Sequence, residues 1–394
     1  MASDPLRGIP VLGERRIGPG ERWIFSAGFN VDARLTSTGR IDSELPDLAR
    51  LAEAGARVAV LSHQGSHRDG TAVPLPHIAS YLARELGRPV RYFPENATPA
   101  AEQEARAMGE GEIVLFGNSR AHAGEERDDP ELARRFAALG DHVAVGGFSK
   151  AHRAHASNTG LLRHRTGCAA TSLVAEVRAL APWADGGSEE GPAAVVLGGR
   201  KPEKTLVGLA HLTGSHDLVV PAGVVLNTVL KSLGHEVGAS DLGERPEACE
   251  LAARQALTRP GGARVHLPRT VLVAPADRIG QTRARPVEIA DGVPAGHAIV
   301  DFVVRPWALE LLARAGSAVV AGTPSRYLAG HTVSSDAILA ALSATSGAVL
   351  LLGGDTVAEL PWSGATSTGG GSALTLIVQG TCAVLEALRR DDAA

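Results

Sequence analysis

The side chains capable of chemistry fall into two groups, one in each half of the chain. The first is cationic: Arg40, Ser62-His63, Asn118-Ser119-Arg120 and the run His152-Arg153-Ala154-His155-Ala156-Ser157. The second is glycine-rich around one carboxylate: Gly198-Gly199-Arg200-Lys201, Gly353-Gly354-Asp355-Thr356 and Ser367-Thr368-Gly369-Gly370-Gly371. Arginine forks bind phosphate and carboxylate in bidentate fashion, so the first group suits a small polyanion. Glycines let backbone N–H groups approach a phosphate, and lysine adds a mobile positive charge. A single carboxylate suffices for Mg²⁺, which takes its other ligands from phosphates and water. The second group therefore suits a metal-bound polyphosphate. Taken singly, each string has a plainer reading. Gly-Gly-x-Lys also describes a turn with a solvated lysine, Asp355 a helix N-cap, and Ser367–Gly371 a flexible turn in place of an anion nest at a helix N-terminus. His63 alone reads as a core or loop histidine. His152 and His155 have no third metal ligand nearby, which leaves hydrogen-bonding or positioning roles. No Walker-type phosphate loop is present.

Such chemistry needs elements that hold loops side by side. Arg57–Leu61 is a short apolar run, preceded by Leu45, Leu48 and Leu51 at helical spacing; Ile78, Leu82 and Leu86 mark a second amphipathic helix. Further strands are expected near Pro89–Phe93, over Glu112–Phe116 and over His142–Val145, then a helix over Ala169–Leu180 stopped by Pro182. The polar stretch Asp185–Pro192 reads as a linker. The rhythm then restarts, with strands expected at Ala193–Leu197, Asp217–Val220, Thr270–Val273, Ala298–Phe302, Ser317–Val320 and Ala348–Leu352. Helices are expected near Leu206, Val225, Leu309 and Ile338. The alternation predicts an α/β fold: two Rossmann-like domains, each a parallel sheet covered by helices, facing across a hinged cleft. Ligands of such sheets bind beyond the carboxyl ends of the strands, and most of the strings directly follow a predicted strand. The layout is that of a two-domain kinase.

Composition agrees. At 394 residues the chain can hold two α/β domains of ordinary size. Hydrophobic content of 44% and charge of 21% are normal for a globular protein, and with only 4% aromatics the core must be built from Ala, Val and Leu. A net charge of −4 argues against nucleic acid or an anionic membrane as partner. Cys168, Cys249 and Cys382 follow no metal spacing and read as small buried hydrophobes. No apolar run approaches the length of a membrane span, and Met1–Pro5 opens without a signal-peptide stretch, so a cytoplasmic location is expected.

In their order the strings resemble the phosphoglycerate kinase family, over nearly the whole chain. Phe25–Asp32 resembles the family's opening strand and Arg-x-Asp-Phe-Asn-Val-Pro motif, and Ser37–Ile41 the arginine segment after it. Ser62–Gly65 is similar to Ser-His-Leu-Gly-Arg-Pro, and Asn118–Glu126 to Glu-Asn-x-Arg-Phe-His-x-Gly-Glu-Glu. Ala151–Ser157 matches the family's Ala-His-Arg-Ala-His-Ala-Ser string without change, and Gly198–Lys201, Gly353–Thr356 and Ser367–Gly371 resemble its nucleotide-side loops. Ligand positions nevertheless differ. The motif's aspartate, which in the family helps bind the hydroxyl next to the substrate carboxylate, aligns with Gly28, and its arginine with Ser26; Asn30 is kept. The arginine after Ser-His-x-Gly aligns with Ser66, with Arg68 two residues on, and an Asn-Asp pair becomes Val145-Gly146. The second lysine of the Gly-Gly-x-Lys loop aligns with Thr205, with Lys204 offset by one. The Trp-Asn-Gly-Pro…Glu segment, which helps hold the nucleotide ribose, has become Val320–Leu328 without its glutamate. Leu352 replaces the first glycine of Gly-Gly-Gly-Asp, and Pro221-Ala222-Gly223 a glycine-rich turn near the adenine pocket.

The resemblance implies roles. Residues 1–184 would bind a small anionic carboxylic acid through Asn30, Arg40, His63, Arg120, His152 and Arg153. Residues 185–375 would bind ATP or ADP through Gly198, Gly199, Lys201, Lys204, Gly223, Gly354, Asp355 and Thr356, with Asp355 on Mg²⁺; residues 376–394 would return to the first domain. Arg40 and Lys201 would approach the transferring phosphoryl group, and backbone N–H groups near Gly370 and Gly371 would stabilise developing charge. Domain closure would expel water. The implied reaction is ATP-dependent phosphorylation of a carboxylate to an acyl phosphate by a monomeric enzyme. The departures point to a specialised biosynthetic acid bearing a phosphate or phosphonate, with a downstream reductase or ligase consuming the product. The rival expectations are a divergent phosphoglycerate kinase of glycolysis, which would convert 3-phosphoglycerate to 1,3-bisphosphoglycerate, and an inactive binding or regulatory homologue.

Overall fold

The computed structural model describes residues 4–186, 191–259 and 261–390. The chain divides into two compact units. One runs from Leu180 to Gly380; the other joins the residues before Leu180 to those after Gly380.

In the first unit β1 (Arg22–Ser26), β2 (Arg57–Leu61), β3 (Val90–Phe93), β4 (Ile113–Phe116), β5 (His142–Val145) and β6 (Thr166–Ala169) form a sheet in the order β3-β4-β2-β1-β5-β6. Every neighbouring pair is parallel. Val58–Leu61 and Ile113–Phe116 are buried without interruption, as strands covered on both faces must be. The helices Leu45–Glu53 and Pro76–Leu86 bury Leu48, Leu51, Ile78 and Leu82 in the core that holds Trp23, Phe25 and Val58. From β1 the sheet grows through β2 on one side and β5 on the other, so the loops after β1 and β5 leave it at a topological switch point. β1 ends at Ser26, which puts the rest of the Phe25–Asp32 motif in that loop. The helix Ala383–Arg390 packs on this unit, with Val384, Leu385 and Leu388 fully buried and the Val384 N–H donating to the Ala151 carbonyl at 3.0 Å.

The helix expected over Ala169–Leu180 begins only at Thr171, because Ala169 closes β6. Tertiary packing selects that strand: a Cβ on Gly167 would stand 2.1 Å from Leu162 Cδ2 and 3.1 Å from Leu388 Cδ2. Pro182 ends the α-helix but not the helical path, which continues as a 3₁₀ turn over Ala181–Gly186.

In the second unit β7 (Ala193–Leu197), β8 (Leu218–Pro221) and β9 (Arg264–Val265) join β13 (Ser317–Ala321), β14 (Ala348–Leu352) and β15 (Ala365–Ser367) in a parallel sheet, ordered β15-β14-β13-β7-β8-β9. The strands expected at Thr270–Val273 and Ala298–Phe302 do not enter it. They are β10 (Thr270–Pro275) and β12 (His297–Phe302), which flank no parallel partner and instead pair antiparallel, with β11 (Arg285–Glu288), in the order β11-β10-β12. No α-helix separates β10 from β12, and adjacent parallel strands require such a crossover. Asp301 in β12 accepts the backbone N–H groups of Val333 at 2.7 Å and Ser334 at 3.1 Å, capping the helix Val333–Ser343 from another element. Among the described residues no single helix is long and apolar enough to cross a membrane.

Candidate active site

The first unit gathers its cationic strings at the carboxyl ends of β1, β2, β4 and β5. The loop after β1 is tied to the loop after β2: Phe29 N–H donates to Ser62 Oγ at 3.0 Å, and the Gln64 side-chain amide donates to the Val31 carbonyl. Asn118 Nδ2 donates to the Gln64 carbonyl at 2.8 Å, which joins the loop after β4. Arg120 is buried there; its backbone N–H donates to Asn118 Oδ1 at 3.0 Å and its Nη1 to the Gly65 carbonyl at 2.9 Å. Its Nε is buried and pairs with Glu126 at 3.7 Å without a hydrogen bond. His63 is buried, and burial followed by the positive charges of Arg120, Lys150 and Arg153 holds its ring well below the usual histidine range. The same causes push His155 down to about 3. Both rings are thus neutral hydrogen-bonding groups in a positive field. Arg153 is exposed and its Nε donates to His152 Nε2 at 3.1 Å. Arg40 and Asn30 form their own contact, Arg40 Nη1 donating to the Asn30 carbonyl at 2.8 Å.

A buried charge network beneath these loops escapes sequence reasoning. Lys150, 3% exposed, donates from Nζ to Ser26 Oγ, and Ser26 donates onward to the Ser157 carbonyl at 2.5 Å. Glu44, 2% exposed, accepts the Gly28 N–H at 3.1 Å. Glu125 accepts Ser157 N–H at 3.0 Å, Ser157 Oγ at 2.5 Å and Ser119 Oγ at 3.1 Å. Burial drives Glu44 and Glu125 upward and Lys150 downward, and the opposite charges restrain all three. Gly28 and Gly147 meet backbone to backbone: a Cβ on Gly28 would stand 2.5 Å from Gly147 Cα. The signal available in the sequence was Lys150 itself, beside the string whose companions at Ser26 and Gly28 had lost their charges.

The second unit collects its glycine strings at the carboxyl ends of β7, β8, β13, β14 and β15. Gly198 and Gly199 follow β7 and lie against Gly322 after β13, where a Cβ on Gly322 would come within 2.3 Å of the Gly198 carbonyl oxygen. Gly223 opens the helix Gly223–Ser232 and donates to the Pro324 carbonyl at 3.1 Å. Gly354 and Gly370 each start a helix, and no atom lies within 4 Å of the space a Cβ would take on either. Gly371 follows Gly370 in the first turn of its helix. Lys201 is exposed in the loop after β7. Lys204 begins a π-helical turn, Lys204–Leu209, whose widened spacing rotates side chains relative to an α-helix. Burial, then the charge of Lys201, pushes Lys204 down to about 8. Thr205 is 2% exposed and turned into the unit. Thr356 is buried, while Asp355 is exposed and takes no hydrogen bond or ion pair among the described residues. Its open carboxylate fits Mg²⁺, which needs one or two protein carboxylates and draws the rest from phosphates and water. No cluster of three His, Cys, Asp or Glu ligands exists among the described residues.

A parallel sheet whose carboxyl-end loops carry a cationic set, and another whose loops carry a glycine-rich set, fit a nucleotide-dependent phosphotransferase. Residues 21–389 match the family model for phosphoglycerate kinase. The phosphoglycerate kinase of Rhodospirillum centenum is 35% identical over 363 residues, 87% of this chain and 89% of that protein. That of Thermosipho africanus is 31% identical over 381 residues, 91% and 92% of the two chains. The structure of phosphoglycerate kinase from Coxiella burnetii superposes with a TM-score of 0.74 at 25% identity, covering 97% of this chain and 99% of that one. The enzyme from Pyrococcus horikoshii shares the fold, with a TM-score of 0.72 at 21% identity over 95% and 97% of the chains. The chain belongs to the phosphoglycerate kinase family. It is an ATP-binding kinase acting on a carboxylate, with ATP or ADP and Mg²⁺ as the family's cofactors and a small acid as its other substrate.

Proposed function

We propose that this kinase forms an acyl phosphate on a small acid carrying a second anionic group, a phosphate or phosphonate, and serves a specialised biosynthetic pathway. The observation that carries the reading is the Gly28–Gly147 contact: with a Cβ only 2.5 Å from Gly147 Cα, an aspartate at position 28 would have to push that backbone aside before it could read a substrate hydroxyl. The acid's distal anion is assigned to His63, Arg120, His152 and Arg153, and its carboxylate to Arg40 with Asn30. On the nucleotide side the polyphosphate is assigned to Gly198, Gly199, Lys201, Lys204, Gly354 and Thr356, the base to the turn at Gly223, and Mg²⁺ to Asp355. Bound there, Mg²⁺ would neutralise charge on the phosphates. Arg40 and Lys201 neutralise the transferring phosphoryl group, and the N–H groups of Gly370 and Gly371 meet charge as it develops. ATP supply places the reaction in the cytoplasm, and a reductase or ligase would consume the reactive product.

A second reading, an authentic phosphoglycerate kinase, is favoured by the likeness to such enzymes over nine-tenths of the Thermosipho africanus protein, 92% of its length. One experiment separates the two: ATP consumption with hydroxylamine trapping of acyl phosphate, comparing 3-phosphoglycerate with phosphono- and dicarboxylic acids, and Arg40→Ala as control. Preference for a panel acid, lost in the control, is expected. Preference for 3-phosphoglycerate at roughly 1–100 per second, the rate range of kinases, returns the protein to glycolysis.

A further inference from the structure

We propose that Lys150 is a positioning residue of the acid half-site: from the turn after β5 its ammonium group supplies, at the Ser26 hydroxyl, the positive charge that the family motif carries on an arginine at position 26. The charges missing from the loop after β1 are present in space, delivered by other elements. Lys150 Nζ donates to Ser26 Oγ, and Ser26 donates to the Ser157 carbonyl at 2.5 Å. Ser157 is the last residue of the His-Arg-Ala-His-Ala-Ser string. The carboxylate missing at Gly28 has a counterpart in Glu44, whose Oε1 accepts the Gly28 N–H at 3.1 Å. Glu44 Oε2 would stand 2.6 Å from a Cβ on Gly146, so the carboxylate fills space that any side chain there would need. Ser26, Gly28, Gly146, Lys150 and Glu44 thus meet in one buried cluster drawn from three segments.

The chain of donors runs in one direction. Lys150 can only donate, Ser26 accepts from it and donates to Ser157, and the Ser157 N–H and hydroxyl are turned to Glu125. Asn158 Oδ1 accepts the His155 N–H at 2.9 Å and its Nδ2 donates to the Arg153 carbonyl at 2.9 Å. Fixing Ser157 thus fixes the backbone from which Arg153 and His155 project. Lys150 acts through that backbone and touches no substrate.

The test uses the full chain and three variants: Lys150→Met, which keeps length and removes charge; S26R/K150A, which returns the cation to β1; and E44Q/K150M, which removes the buried carboxylate with the lysine. The readouts are hydrogen exchange of residues 152–158 and calorimetric affinity for 3-phosphoglycerate as probe. Lys150→Met is expected to speed exchange in that segment and weaken the probe about tenfold, the loss of roughly one charge-assisted hydrogen bond. S26R/K150A is expected to recover both. Should Lys150→Met fail to fold, E44Q/K150M carries the same readouts, and it too should exchange fast. The proposal is overturned if Lys150→Met melts lower yet exchanges and binds as wild type, or if E44Q/K150M restores both readouts while S26R/K150A does not. The binding readout rests on the acid-site reading, whereas the exchange readout does not. Wild-type protein that binds neither 3-phosphoglycerate nor any panel acid counts against that reading, and exchange alone then decides for or against Lys150.

Discussion

Lys204 and Thr205 pose the sharpest residue-scale question, because the proposed nucleotide site asks a lysine one position out of register to serve the phosphates. Lys204 begins the π-helical turn, and burial followed by the Lys201 charge pushes its ammonium down to about 8. Affinity for Mg-ADP should therefore fall as the pH rises through about 8. Lys204→Met should lower affinity below that pH and abolish the decline; isothermal titration at several pH values measures both. A second prediction concerns Gly28. Gly28→Asp would force a side chain into Gly147 Cα, 2.5 Å from the new Cβ, and should cost about 3 kcal/mol, the upper range for overpacking. Urea denaturation reads the loss, and an unaltered midpoint would remove the steric argument against hydroxyl reading. The cationic strings were legible in the sequence because arginine and histidine beside strand ends need no partner to be noticed. Lys150 and Glu44 were not, since their meaning lies in contacts with Ser26 and Gly28, distant in the chain.

Strands covered on both faces announce themselves as unbroken Val, Ala and Leu runs, which is why β2, β5, β7, β13 and β14 fall where the pattern places them. The small antiparallel sheet did not, for β10 and β12 carry similar apolar runs and only the absence of a crossover helix distinguishes them. β6 was hidden by its length and by Gly167, whose bare backbone makes room for Leu162 and Leu388. At this scale Asp301 is the joint between the small sheet and the rest of its unit. It is 1% exposed and receives N–H groups from Val333 and Ser334 at 2.7 and 3.1 Å and the Ser334 hydroxyl at 2.5 Å. Asp301→Ala strips the cap and leaves these donors buried, at a cost of about 3 kcal/mol. Thermal melting should register it, while hydrogen exchange of residues 152–158 in the other unit should not change.

Over the whole molecule, buried neutral histidines set the acid limit. His266 is wholly buried and held down to about 4 by burial and then by Arg305, while its Nε2 accepts the Arg305 N–H at 3.0 Å, a role only the neutral ring can fill. His216 is likewise pushed down to about 4 by burial. Because each folded-state value lies below the unfolded one, the unfolded chain binds more protons and stability is lost as the pH falls from about 6.5 towards 4, by about 1.4 kcal/mol per pH unit for each ring. The raised carboxyls of Glu44 and Glu125 pull the other way in the acid range. His266→Asn should flatten the slope of unfolding free energy against pH by about one proton between those limits, and an unchanged slope would refute the assignment.

The helix Ala383–Arg390 buries Val384, Leu385 and Leu388 in the unit whose sheet is otherwise encoded before Leu180. On a translating ribosome, the unit whose strands emerge first receives this helix only after the entire other unit has been made. Its sheet waits without that helix while the other unit is made from contiguous chain. Completion order is thereby uncoupled from synthesis order, and a nascent polypeptide released just short of this helix would hold the Leu180–Gly380 unit whole and the other without its last helix.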